Sequence, residues 1–166
     1  MEKISLSVNQ TLRIGKKIAC YLKGGEIILL SGSLGAGKTV LAKGIASGLG
    51  INKNDVVSPT FVLLRVYPGK HLLQHFDLYR IKTTADVFAL GYEEYFYPHT
   101  KDFGVGEYSD AVTLIEWPQR LKFLLPKEFL KIKLFVKAKN QRFLKFTAKG
   151  SRYKELLEKI NENFRN

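Results

Sequence analysis

The stretch Gly32-Ser33-Leu34-Gly35-Ala36-Gly37-Lys38-Thr39 limits the folds open to this chain more than any other. It fits the pattern G-x-x-x-x-G-K-[ST], a loop that cradles phosphates when a strand precedes it and a helix follows. Both flanks are present. Glu26-Ile27-Ile28-Leu29-Leu30-Ser31 is a short apolar run of the kind a buried parallel strand shows. Val40 to Ser47 reads as a helix ending at Gly48 or Gly50. The residue types follow from the chemistry. Glycines let the backbone curl and aim N–H groups at phosphate oxygens, and the helix start adds partial positive charge. Lys38 is placed to reach the β- and γ-phosphates, and the Thr39 hydroxyl is a hard oxygen ligand for Mg2+. The other loop residues and Val40 line the same expected nucleotide site.

Two later strands are expected to end in acids. His71 to Arg80 carries Asp77, and a carboxylate at a strand end beside a phosphate loop is where Mg2+ is held. Ala111 to Pro118 carries Glu116, placed to orient an attacking water or the water shell of a metal. Trp117 offers a flat face to a base or a partner, with a core tryptophan as the alternative. Ser58-Pro59-Thr60 interrupts the run from Val56 to Tyr67, because proline lacks an N–H. Thr60 is either a switch-like contact to Mg2+ or γ-phosphate, or part of a simple turn. His71, His75 and Asp77 alternate as transition-metal ligands would, but a packed or hydrogen-bonded His75 is favoured. Arg80 is read either as a contact near Asp77 or phosphate, or as a surface residue.

The remaining elements are read from periodicity. Ile4, Leu6 and Val8 alternate over residues 3–8 as a strand. A helix capped by Asn9 or Thr11 runs to about Leu22, with Leu12, Gly15, Ile18, Ala19 and Leu22 on one face. Residues 82–97 read as one helical segment opening at Thr83 or Thr84, and 98–110 as a loop. Strands near 129–138 and 142–148 form a C-terminal hairpin with its turn at Asn140-Gln141. A helix over 151–164 turns Leu156, Leu157 and Ile160 inward.

The length of 166 residues suits one domain spanning the chain. The single cysteine, Cys20, excludes an intrachain disulfide, points to a reducing compartment and is expected in the core. No apolar run reaches the roughly 18 residues of a membrane span, and the N-terminus lacks a signal-peptide core, so a cytoplasmic protein is expected. The net charge of +12 is uneven: residues 1–118 hold 13 Lys/Arg against 11 Asp/Glu, residues 119–166 hold 14 against 4. A tail this basic suits an anionic partner such as RNA or an acidic protein surface, or is a solvated surface. Two rival functions are weighed. A small-molecule kinase needs an arginine-rich lid, and the arginines do not cluster in sequence. A non-enzymatic RNA-binding module would use the basic tail.

Four motifs in order, Leu34-Gly35-Ala36-Gly37-Lys38-Thr39, Ser58-Pro59-Thr60-Phe61, His75-Phe76-Asp77-Leu78-Tyr79-Arg80 and Ile115-Glu116-Trp117-Pro118, resemble one family over about residues 5–150. It is the small bacterial ATPase family of tRNA threonylcarbamoyladenosine biosynthesis, TsaE (formerly YjeE). The resemblance implies a P-loop NTPase fold: a three-layer αβα sandwich with a mostly parallel central sheet, here with the C-terminal antiparallel hairpin. It implies binding of ATP and Mg2+, roles for Lys38 and Thr39 at the nucleotide, Asp77 at the metal and Glu116 in hydrolysis. It implies a switch-like Thr60 segment and a Trp117 near the nucleotide. The implied partners are TsaD and TsaB, whose assembly modifies adenosine 37 of tRNA, with ATP turnover resetting the complex. Two departures stand out. Ser33 occupies the position where the family usually has Asp, and the 98–110 loop is longer than usual.

Overall fold

The structure, a computed structural model, describes residues 1–96 and 110–164. Its strands are β1 (Glu2–Ser5), β2 (Ile27–Ser31), β3 (Leu64–Tyr67), β4 (Leu73–Asp77), β5 (Val112–Glu116), β6 (Phe129–Ala138) and β7 (Gln141–Lys149). Its α-helices are α1 (Val8–Ala19), α2 (Lys38–Gly48), α3 (Thr84–Phe88), α4 (Tyr92–Phe96) and α5 (Ser151–Asn163), with a 3-10 stretch over Pro118–Leu124. The described strands form one mixed sheet in the order β1-β7-β6-β2-β5-β4-β3. Its centre is parallel, β6 with β2, β2 with β5 and β5 with β4. The β6–β7, β7–β1 and β4–β3 pairs are antiparallel.

Every residue of β2, β4 and β5 is buried, as a central position in a parallel sheet requires, including the polar Gln74, His75 and Asp77 of β4. Alternate side chains go to opposite faces. Ile28 and Leu30 pack with Ile18 of α1, Leu41 and Ile45 of α2, and Leu156 and Ile160 of α5. Ile27 and Leu29 pack with Phe76, Ile115, Val87 of α3, and Tyr92 and Phe96 of α4. The α1–α2 crossing is made by three glycines, Gly15, Gly44 and Gly48. A Cβ on Gly44 would lie 2.3 Å from the Leu12 carbonyl oxygen, and one on Gly15 would lie 2.6 Å from that of Leu41. α2 carries the glycine loop at its start, so this contact sets where the loop sits.

Several expectations need correction. The alternating Ile4, Leu6 and Val8 are exposed, while Ser5 points inward and hydrogen-bonds Thr11. The strand therefore stops at Ser5, and α1 begins sooner than expected. Ser7 caps it by accepting from the Gln10 N–H, and the Gln10 side chain accepts from the Leu6 N–H at 2.6 Å. Cys20 is exposed rather than core. It lies just past the helix, its Sγ donating to the Lys16 carbonyl, while Ala19 and Leu22 take the buried positions. The single helix expected over 82–97 is two short ones, parted at Gly91, whose φ of 60° leaves the helical region. α3 opens with Thr83 and Asp86 in a capping box. The hairpin turn falls at Lys139-Asn140, with a register shift between Val136 and Ala138. In α5 it is Tyr153, with Leu156 and Ile160, that is buried, and Leu157 is only half-buried. The loop expected over 98–110 lies, apart from Asp110, outside the described residues. No helix among the described residues is long and apolar enough to cross a membrane.

Candidate functional site

β2 ends at Ser31 and the chain turns at once into the loop. Gly32 has φ 148°, and a Cβ there would lie 2.5 Å from the Leu134 carbonyl oxygen. Gly37 has φ 97° and starts α2 without a side-chain cap. The first N–H groups of α2 thus have no capping side chain, and helix starts of this kind favour anions. Lys38 begins the helix and is only 4% exposed. Its Nζ donates to the carbonyls of Gly32 (3.1 Å) and Ser33 (2.9 Å) and lies 4.0 Å from the centre of the Trp117 ring. Burial pulls the Lys38 amine below its usual range, and the carboxylates of Glu116 and then Asp77 oppose that shift.

Asp77 and Glu116 close adjacent parallel strands and sit opposite one another in register. Both are buried, so their oxygens need donors. Asp77 Oδ2 accepts from the hydroxyls of Ser58 and Thr60, the latter at 2.6 Å, and Oδ1 accepts from the Tyr79 N–H at 2.9 Å. Glu116 Oε1 accepts from Thr39 Oγ1 at 2.9 Å and meets His75 Nε2 at 3.0 Å. With Glu116 ionised, His75 Nε2 is the donor of that bond. His75 is fully buried, and its Nδ1 has no partner among the described residues.

These groups face one open cleft of about 440 Å3, lined by Leu34, Gly35, Gly37, Lys38, Thr39, Val40, Ser58, Thr60, Asp77, Tyr79, Glu116 and Trp117. Two expected nucleotide contacts are absent from that lining. Ser33 turns its carbonyl to Lys38, and Ala36 is fully buried. Trp117 lines the cleft beside Tyr79, in a left-handed conformation with φ 59°. Arg80 stacks on the ring of Phe61, a residue 84% exposed, at 5.0 Å. The alternating histidine site is not formed. His71 lies before β4 and pairs with Asp110, while His75 pairs with Glu116. Among the described residues no group of three or more His, Cys, Asp or Glu could hold a metal ion. No arginine is among the described residues of the cleft, so a kinase-type arginine lid has no counterpart there.

One residue at this loop was not foreseen. Arg142, on β7, donates from Nε to Ala36 O (3.1 Å) and from Nη2 to Gly35 O (3.3 Å). Its Nη1 meets the carbonyls of Ala138, Lys139 and Gln141 in the hairpin turn. It ties the glycine loop to the hairpin across more than a hundred residues of sequence. Ser58 is a further addition, holding Asp77, while the hydrogen bond favoured for His75 goes to Glu116.

A glycine loop between strand and helix, a buried lysine and two strand-end carboxylates share the crevice outside the carboxyl ends of a parallel sheet. They define an α/β protein with its polar site where such sheets receive ligands. Comparison with known proteins gives the family. The chain belongs to the TsaE family, described as Threonylcarbamoyl adenosine biosynthesis protein TsaE, whose family model matches residues 5–144. It is 35% identical over 160 residues to the tRNA threonylcarbamoyladenosine biosynthesis protein TsaE of Bacillus subtilis, covering 96% of this chain and 92% of that one. The protein of that name from Treponema pallidum is 39% identical over 142 residues, covering 86% and 96%. That from Synechocystis is 42% identical over 126 residues, covering 73% and 72%. The crystal structure of YdiB from the same Bacillus species superposes with a TM-score of 0.78 at 33% identity, over 98% of this chain and 95% of that one.

Proposed function

We propose that this chain is a P-loop ATPase of three-layer αβα architecture, one domain over residues 1–166, acting in the cytoplasm. It binds and hydrolyses ATP with Mg2+ as a subunit of the assembly that installs threonylcarbamoyl on adenosine 37 of tRNA. Its partners there are TsaD and TsaB, and its turnover resets them between cycles. The observation that carries the reading is the convergence of Lys38, Thr39, Asp77 and Glu116 on one cleft at the start of α2.

The residues present fit the proposed ligands. Lys38 is a buried cation whose only hydrogen-bond acceptors among the described residues are two loop carbonyls, which a phosphate would replace with a charge-assisted bond. Thr39, Asp77 and Glu116 supply the hard oxygens that Mg2+ takes. The bound cation would supply charge neutralisation at the phosphates. The chain's own residues do the rest. Gly35 and Gly37 leave the loop backbone open to the cleft, and Lys38 holds negative charge beside them. Glu116 orients the attacking water, and His75 with Thr39 fixes its carboxylate. Trp117 and Tyr79 wall one side of the cleft. Ser58 and Thr60 occupy Asp77, so this segment must release it before Asp77 can take a cation. That requirement makes the lone chain a slow ATPase.

The test is hydrolysis of ATP by the purified chain, alone and with TsaD and TsaB from the same source. Slow turnover alone and strong stimulation by the partners are expected. Fast turnover indifferent to the partners would overturn the assignment.

A further inference from the structure

The hairpin Phe129–Lys149 contains seven Lys or Arg and no acid. Strand alternation sorts them. Leu130, Ile132, Leu134, Leu144 and Phe146 face the core under α1, α2 and α5. The opposite face carries Lys131, Lys133, Phe135 and Lys137 on β6, and Phe143, Lys145 and Lys149 on β7. No described helix covers it. Lys133 stands directly opposite Lys145, and Phe135 directly opposite Phe143 with ring centres 5.8 Å apart. Lys133 and Lys137 lie over Phe135 and Phe143, at 4.9 and 5.5 Å from the ring centres. The one acid that pairs with these lysines among the described residues is Glu2 of β1, 4.0 Å from Lys145.

Like charges set opposite one another across a ladder work against folding. A surface that served only solubility would intersperse both signs. Here one sign is concentrated, and the gaps between lysines hold half-buried aromatic rings rather than polar groups. Alternating cations and flat rings along a sheet are what a single-stranded nucleic acid needs: phosphates for the lysines, base faces for the rings. An acidic protein would use the charge and leave the rings idle.

We propose that the outer face of the β6–β7 hairpin binds single-stranded RNA, with Lys133, Lys137 and Lys145 on the phosphates and Phe135 and Phe143 under the bases. The relatives' pathway acts on tRNA, which makes an unpaired tRNA loop the natural source of such a strand. The surface adjoins the site, since Lys133 pairs in register with Ser31 at the end of β2. Binding of RNA here is independent of the ATPase reading and is measured without nucleotide.

The experiment is fluorescence anisotropy of a labelled, unstructured RNA oligonucleotide titrated with the full chain across a salt series. The wild type is expected to bind with a steep salt dependence. The double variant Lys133→Gln with Lys145→Gln should bind about ten-fold more weakly at low salt, with the slope reduced by about 1.4, the release lost with two single-strand phosphate contacts. The double variant Lys154→Gln with Lys159→Gln on α5 makes the same change in net charge and should bind as the wild type does. Phe143→Leu should lose affinity for the single strand and not for an RNA duplex of equal charge. Circular dichroism melts check that each variant is folded. Absence of binding by the wild type at low salt, or equal loss in both lysine pairs, would overturn the proposal. So would binding to anionic vesicles, but not to the oligonucleotide, that depends on Lys133 and Lys145.

Discussion

Replacing Arg142 by alanine tests whether the hairpin braces the phosphate loop. The guanidinium lies within hydrogen-bond reach of five backbone carbonyls, two in the glycine loop and three, which share the two Nη1 hydrogens, in the hairpin turn, at 3.0 to 3.3 Å. Bonds with a charged donor are worth about 1.5–3 kcal/mol when buried, and much less when solvent competes. Arg142 is half-buried, and its turn contacts are exposed, so we assign the set about 2 kcal/mol. For a chain of 166 residues this lowers Tm by about 4–8 °C. If about 1 kcal/mol of it is loop ordering that a ligand must then supply, nucleotide Kd rises about five-fold. Arg142→Lys should not rescue either effect, since an ammonium cannot reach five separated acceptors. The assays are a thermal melt and a calorimetric titration with ATP and Mg2+. A variant that melts within about 1 °C of wild type and binds nucleotide equally would refute the bracing role.

Three further outcomes follow from the same geometry. Gly44→Ala places a methyl 2.3 Å from the Leu12 carbonyl, backbone that cannot step aside, and should cost about 2–3 kcal/mol in urea unfolding; an unchanged midpoint would mean the helices part freely. His75→Leu removes a buried partner of Glu116 and should slow ATP turnover about ten-fold with little change in nucleotide affinity; loss of affinity instead would place His75 in binding. Burial lowers the Lys38 pKa from 10.5, so with rising pH the folded chain gives up this proton before the unfolded chain does. Stability through Lys38 therefore increases as pH climbs toward 10.5, and the wild type should gain on Lys38→Met between pH 8 and about 10 in urea unfolding; a loss would reverse the sign.

Much of this arrangement is legible in the sequence because its signals are local. The loop, β2 and α2 follow from one eight-residue motif and its flanks. β4 and β5 announce themselves as strands closed by Asp77 and Glu116, and their parallel pairing sets the two acids side by side. The failures are instructive. Ser7 caps α1 and Gln10 reaches back to the Leu6 N–H, a start signal that the stronger alternation of Ile4, Leu6 and Val8 masks. The aromatic periodicity of residues 87–96 runs straight across Gly91, so two helices read as one. Arg142 leaves no local signal, since its contacts with Gly35 and Ala36 exist only once β7 is laid beside β6. The contact of His75 with Glu116 likewise needs the β4–β5 register.

The central claim is that the cleft beside Lys38 binds ATP. Trp117, the sole tryptophan, sits 4.0 Å from the Lys38 amine and reports on that cleft directly. Its emission should change saturably when ATP and Mg2+ are titrated into the wild type, and the ATP-induced change should vanish in a folded Lys38→Ala variant. A wild type whose emission and heat of titration are both indifferent to ATP, or a Lys38→Ala variant that binds ATP as tightly, would contradict the account.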